Sequence, residues 1–229
     1  MSRLGKLSDL SKRIIELLYP RDKRTYELKY WRGRSKAEGG KFGHAHYLQF
    51  YTTIFELTFA DFDRKRILDI GCGPRGSLEW ADMALERVGL DPLANDYVKL
   101  RTEPHKMSYV AATSEYIPFA DGHFDVVTSF NSLDHVDDMQ KTISEIKRVT
   151  KSGSVFLLIV EINHPPTPTE PITLGRESLE LFMPEFGVHK SWISALLPRT
   201  HDVYGSVLAA KAPSSNDDPA ILCARMTRK

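Results

Sequence analysis

Arg66-Ile67-Leu68-Asp69-Ile70-Gly71-Cys72-Gly73-Pro74-Arg75-Gly76 is the stretch that decides the fold. A short apolar run ends at glycines spaced G-x-G-x-x-G, the pattern of a strand that turns sharply and opens a helix. Gly71 suits the tight turn, Gly73 lets backbone approach a ligand closely, and Gly76 can sit against a sheet. Twenty residues past Gly71, behind the next apolar run, stands Asp91, where a carboxylate can accept hydrogen bonds from two ribose hydroxyls. The spacing describes a nucleoside-binding loop.

Further apolar runs alternate with amphipathic segments on either side. Strands are expected at Arg66 to Ile70, Arg87 to Leu90, Met107 to Ala111, Phe124 to Phe130 and Ser154 to Val160. Extended runs at Val188 to Ala195 and Val203 to Ala210, and a last strand at Ile221 to Met226, complete the set. The clearest helix is Asp137 to Val149, where Met139, Ile143, Ile146 and Val149 recur on one side. Its acids lie at the positive end and Lys147 and Arg148 at the negative end. Such alternation predicts βαβ units and a parallel sheet covered on both faces, an α/β doubly wound architecture. Helices are also expected at Leu7 to Leu18, stopped by Pro20, at Tyr47 to Ala60 and at Ser178 to Met183. Arg32 to Lys41 is expected as a loop with Gly39-Gly40 as a flexible joint. The division follows as a helical cap over 1–62 and a cofactor-binding domain over 63–229.

The 229 residues suffice to bury one large core without staples. Hydrophobic residues at 41% and charged residues at 27% exclude a disordered or fibrous chain. The longest apolar run, Val155 to Val160, is far short of the ~20 residues of a membrane span. Cys72 and Cys223 provide no disulfide framework, and no secretory signal is visible, so a cytoplasmic protein is expected. Net charge is +1, yet residues 1–36 hold eleven Lys or Arg against four Asp or Glu, and the remainder twenty against twenty-six. A basic arm can meet an anionic partner, but no separate nucleic-acid recognition domain is visible.

Two ligands compete for the glycine loop. A pyrophosphate wants helix-terminal N–H donors and no carboxylate in its path. Asp69 stands two residues before Gly71, and Pro74 removes a donor. Both features disfavour a nicotinamide dinucleotide and favour a cationic, amino-acid-bearing cofactor.

Here the chain resembles the class I S-adenosylmethionine-dependent methyltransferases, in their small-molecule branch. The glycine segment looks like their first motif and Val88-Gly89-Leu90-Asp91 like their second-strand motif. Glu115 through Val127 is similar to the region between their third and fourth strands. Asn131-Ser132-Leu133-Asp134-His135-Val136 is similar to the segment after strand 4, and Lys151-Ser152-Gly153-Ser154 to the turn before strand 5. The resemblance covers residues 65 to 160. It implies a Rossmann-like seven-stranded sheet with a terminal antiparallel hairpin, and S-adenosylmethionine as cofactor.

Carried onto this sequence, the resemblance puts Gly71, Cys72 and Gly73 along the cofactor, Asp69 at its methionine end and Asp91-Pro92 at its ribose. Thr113-Ser114-Glu115 falls where the family contacts adenine, although Thr113 replaces a common Asp. Phe130 and Asn131 would sit beside the transferable methyl. The Pro-Pro-Tyr that follows this position in amino methyltransferases of nucleobases is absent after Asn131. A small-molecule acceptor is therefore expected, most simply a hydroxyl. Nucleic-acid methylation and a non-catalytic nucleoside-binding module are the alternatives.

An oxygen acceptor needs a general base. His135 follows strand 4, while Glu161 and His164 end strand 5 in a Pro-stiffened cluster, Glu161-Ile162-Asn163-His164-Pro165-Pro166. Both positions face the crevice at the carboxyl ends of the strands. The spacing around Asp134 and His135 is not diagnostic of a metal, and none is expected. His44, His46 and Tyr47 follow the glycine joint as a candidate lid.

Overall fold

A computed structural model describes residues 23–197 and 202–229. The helix expected from Leu7 to Leu18 lies outside the described residues. Seven strands form one sheet in the order β3-β2-β1-β4-β5-β7-β6. They are β1 Arg66–Ile70, β2 Glu86–Leu90, β3 Ser108–Val110, β4 Phe124–Phe130, β5 Thr150–Ile162, β6 Phe186–Ala195 and β7 Ala220–Arg228. The first five are mutually parallel. β7 runs antiparallel between β5 and β6, which is the terminal hairpin expected. The helices are α1 Lys23–Ala37, α2 Leu48–Tyr51, α3 Ala94–Tyr97, α4 Met139–Val149 and α5 Val203–Ala209.

Strand alternation splits the apolar side chains into two cores. Leu68, Ile70, Val127, Phe156 and Leu158 face α4, whose Ile143, Ile146 and Val149 are buried against them. Ile67, Val126, Leu157 and Ile159 face the other way, against Phe50, Tyr51, Phe55 and Phe62 and Val203 and Val207 of α5. Strands covered on both faces explain the near-continuous apolar runs of β4 and β5. Asp69 shares the side of Ile67, so its carboxylate enters the second core near Tyr51 rather than solvent.

Four expectations fail, each for a local reason. No helix follows the glycine loop. The chain from Gly71 to Leu85 runs in turns closed by i→i+3 bonds such as Glu79 N–H to Gly76 O and Ala81 N–H to Leu78 O. The Glu79 carboxylate there accepts the backbone N–H groups of Lys106 and Met107, tying the connection to β3. Val203 to Ala210 is a helix, not an extended run. Asp202 caps it by accepting the Gly205 N–H at 2.9 Å, and left-handed Ala210 ends it. Tyr47 to Ala60 breaks into α2 and two short 3-10 turns, because Thr52 turns its hydroxyl onto Leu48 O and Glu56 adopts a left-handed φ of 57°. Finally, α1 continues to Ala37 through the region expected as a loop. Its end is fastened, since Gly40 donates to Ser35 O and accepts the Thr102 N–H. Left-handed Gly39 and Gly40 thus form a fixed turn.

Candidate cofactor and acceptor site

The carboxyl ends of β1, β2, β4 and β5 open into a cavity of about 1110 Å³, walled on its outer side by α1. Every cofactor residue expected from the sequence lines it: Asp69, Gly71, Cys72, Gly73, Asp91 and Pro92 on the β1–β2 side, then Thr113, Ser114, Glu115, Phe130 and Asn131. His135, Glu161 and His164 line it as well.

The glycine loop is held by the acid that follows β2. Asp91 is buried and accepts the Leu93 N–H at 2.8 Å and the Gly73 N–H at 3.2 Å. Each oxygen keeps lone-pair capacity for a further donor. Burial pushes its carboxyl up to about 6, against the pull of those two N–H groups. Gly71 has a φ of 71°, and a Cβ there would collide with the Ser132 side chain, whose hydroxyl donates to Ile70 O at 2.8 Å. Only glycine permits this crossing of the β1 and β4 loops.

Asp69 is buried beneath the loop. Hydroxyls of Ser77 and Thr128 donate to it, the latter at 2.7 Å. Burial raises its carboxyl to about 6 as well. Glu115 differs. Burial pushes it up, but backbone N–H groups of Glu115 itself, Asp137 and Asp138 outweigh that and hold it below the usual carboxylate range. Ser114 is engaged with Thr142 at 2.9 Å. Phe130 packs on Tyr51 at 4.8 Å, and Asn131, at a left-handed φ of 53°, leaves its buried Oδ1 without a partner. Left-handed glycines, acids with spare acceptor capacity and an orphaned amide oxygen fit a polar nucleoside carrying hydroxyl and ammonium donors.

The other side gathers around Asp134, which the sequence offered only as part of a spacing not diagnostic of a metal. Asp134, fully buried, lies 3.4 Å from His164 Nε2 and 4.0 Å from His135 Nε2. The Asp134 carboxylate beside His164 raises that imidazole to about 9. Glu161 is buried at the end of β5. His135 and His164 are therefore brought together through Asp134, with Glu161 on the same cavity. Glu170, 3.7 Å from His135, was also missed, because its loop has no periodic signal.

On the outer wall the candidate lid residues separate. His46 and Tyr47 line the cavity, whereas His44 stacks edgewise with His105. Trp31 of α1 covers Gly73, 3.4 Å from where a Cβ would stand, and donates to Glu27 at 2.8 Å. Arg75 binds Glu38 in two hydrogen bonds of 2.9 and 2.7 Å, and Lys23 donates to His135 O at 2.5 Å. These contacts fasten α1 across the cavity at both ends.

Residues 68–158 match a protein-family model described as a methyltransferase domain. This stretch is a methyltransferase domain, and the chain is similar to the class I S-adenosylmethionine-dependent methyltransferases. S-adenosylmethionine is the cofactor that this similarity implies. Among curated relatives, demethylmenaquinone methyltransferase of Renibacterium salmoninarum is 37% identical over 103 residues, 44% of this chain and 43% of that protein. The chloroplastic tocopherol O-methyltransferase of Arabidopsis thaliana is 33% identical over 103 residues, 42% of this chain and 30% of that protein. The alignments thus span less than half the length of these relatives. A solved structure of a putative S-adenosylmethionine-dependent methyltransferase from Listeria monocytogenes shares the fold, with TM-score 0.57 and 14% identity over 80% of this chain and 98% of that one.

Proposed function

We propose that this chain transfers a methyl group to a small-molecule acceptor, on a hydroxyl oxygen. The observation that carries this is the two-sided cavity. Its volume of about 1110 Å³ exceeds the ~300–1,000 Å³ usual for one ligand, so cofactor and acceptor fit together. Relatives named for O-methylation, of tocopherol and of malonyl-[acyl-carrier protein], lend support to an oxygen acceptor.

In this proposal Asp91 accepts the ribose hydroxyls, Asp69 serves the methionine end, and Thr113, Ser114 and Glu115 border the base. The bound sulfonium supplies an electrophilic methyl carbon. Phe130 and Asn131 wall the space between the two ligands, and α1 with Trp31 keeps water out, which favours displacement on a charged centre. The proton released by the acceptor hydroxyl passes to one of His135, Glu161 and His164. Residues 1–62 act as the cap.

The test is calorimetric titration with S-adenosylhomocysteine and with NAD, followed by measuring S-adenosylhomocysteine release over a panel of hydroxylated metabolites. Tight binding of S-adenosylhomocysteine alone is expected. Binding of NAD without it would overturn the proposal.

A further inference from the structure

Asp134 sits in the turn Leu133–His135 after β4, fully buried, and neither carboxylate oxygen has a hydrogen-bond partner. Buried His135 Nε2 and His164 Nε2 are orphaned in the same way. They approach one another in pairs, with His164 reaching the group through Asp134. His164 Nε2 lies 3.4 Å from Asp134 Oδ2, His135 Nε2 4.0 Å from Oδ1, and Glu170 Oε1 3.7 Å from His135 Nε2. Ligand atoms of Asp134, His135 and Glu170 all lie within 4.8 Å of one another.

Such separations exceed the ~2.7–3.2 Å of a hydrogen bond to nitrogen. The His164–Asp134 separation of 3.4 Å suits two ligands of one ion, because two atoms about 2.0–2.2 Å from one centre at a tetrahedral angle stand roughly 3.3–3.6 Å apart; the 3.7 and 4.0 Å pairs would close by a few tenths of an ångström on binding. The tautomer of His164 agrees. Its Nδ1 is 3.0 Å from Pro165 O, and a carbonyl only accepts, so Nδ1 carries a hydrogen. His164 Nε2 and the Asp134 carboxylate then face each other in a buried site, where a bound cation would take the place of a proton between them. A ligating imidazole that donates its other nitrogen to a backbone carbonyl is the usual outer support of a metal site. The remaining ligand is positioned likewise. Thr167 donates to Glu170 Oε2 at 3.0 Å, leaving Oε1 turned toward His135. Thr173 donates to His164 O at 2.9 Å, and Ile172 N–H to Asp134 O at 3.3 Å, folding this loop onto the turn after β4.

We propose that Asp134, His135, His164 and Glu170 form a divalent metal site on the acceptor side of the cavity. Two imidazoles with two carboxylates select a first-row transition ion such as Zn²⁺, Fe²⁺ or Mn²⁺ over Mg²⁺. Because His135, His164 and Glu170 line the cavity, an ion that takes more than four ligands would complete its shell with oxygen donors from there, so the acceptor class is a molecule offering a hydroxyl beside a second oxygen. That consequence for the acceptor rests on the proposed function, whereas the metal site does not.

The experiment is titration of the chelator-treated chain with Zn²⁺ and Mn²⁺, by calorimetry and by the electron paramagnetic resonance of Mn²⁺, with S-adenosylhomocysteine binding measured in parallel. One ion per chain is expected, with a rise in melting temperature. Asp134→Asn and His164→Gln should each weaken metal binding at least ~10-fold while S-adenosylhomocysteine still binds. Glu170→Gln, at the more open edge of the cluster, should weaken it too and serves if Asp134→Asn fails to fold. Absence of binding at millimolar metal overturns the site, as does unchanged affinity in His164→Gln and Glu170→Gln. S-adenosylhomocysteine binding without metal binding defeats this inference alone, and the reverse defeats the cofactor assignment alone.

Discussion

The backbone N–H of Gly73 donates to Asp91 Oδ2 at 3.2 Å, closing eighteen residues of chain on one buried carboxylate. The acid therefore fixes the glycine loop before any ligand arrives. Asp91→Ala should weaken S-adenosylhomocysteine binding at least tenfold, since hydrogen bonds to a charged group contribute ~1.5–3 kcal/mol each. Calorimetry measures this, and circular dichroism should show the fold retained. Unchanged affinity would remove Asp91 from the ribose.

The pH dependence of cofactor binding should report Asp69. Its folded carboxyl is raised to about 6 by burial, above the 3.8 of an ordinary Asp. The ligand-free fold therefore loses stability from this group as pH rises from 4 to 6, where the unfolded chain has already released its proton. An ammonium bound there prefers the ionised form, so affinity should increase up to about tenfold per pH unit below 6 and level off above it. Asp91, also raised to about 6, contributes in the same window. Asp69→Asn should flatten part of the profile, and a profile identical to the parent's would refute the assignment.

Gly71→Ala should destabilise the protein without changing its surface. A φ of 71° costs an alanine about 1–2 kcal/mol, and collision with the Ser132 side chain adds a comparable amount. A lower urea midpoint with an unchanged m-value is expected. An unaltered midpoint would mean that the β1 and β4 loops part freely.

Arg75 and Glu38 fasten α1 to the glycine loop, and the guanidinium lies 5.5 Å from the Trp31 ring centre. Double-mutant cycles on Arg75→Ala and Glu38→Ala should give a coupling of ~0.5–3 kcal/mol. Arg75→Ala should also speed hydrogen exchange across Lys23–Ala37, and S-adenosylhomocysteine should slow it. Equal exchange with and without ligand would argue that α1 does not close on the cofactor.

Much of the fold was legible because strands buried on both faces leave continuous apolar runs, and the β1 and β4 boundaries coincide with them. The helix α4 was legible because its buried stripe repeats at the helical period. Val203–Ala209 was not, since Val, Tyr and Val carry strand preference and the capping contact of Asp202 outweighs it. The helix expected after Gly76 failed because Ser77 and Glu79 spend their side chains on Asp69 and on the start of β3.

The sequence by itself determined the loop chemistry: glycines where backbone must turn left-handed, and acids at strand ends where topology sends them to one crevice. Those are local facts, set by the residue and its neighbours in the chain. Only the tertiary structure decided that Trp31 covers Gly73, that Asp134 is fully buried, that His135 and His164 lie within 4.0 Å of it, and that Glu170 lies beside His135. These residues come from separate loops whose meeting depends on how β4 and β5 lie side by side and how the chain after Ile162 folds back. Distances of 3–4 Å between side chains arise from packing across the sheet, and no periodicity along the chain records them.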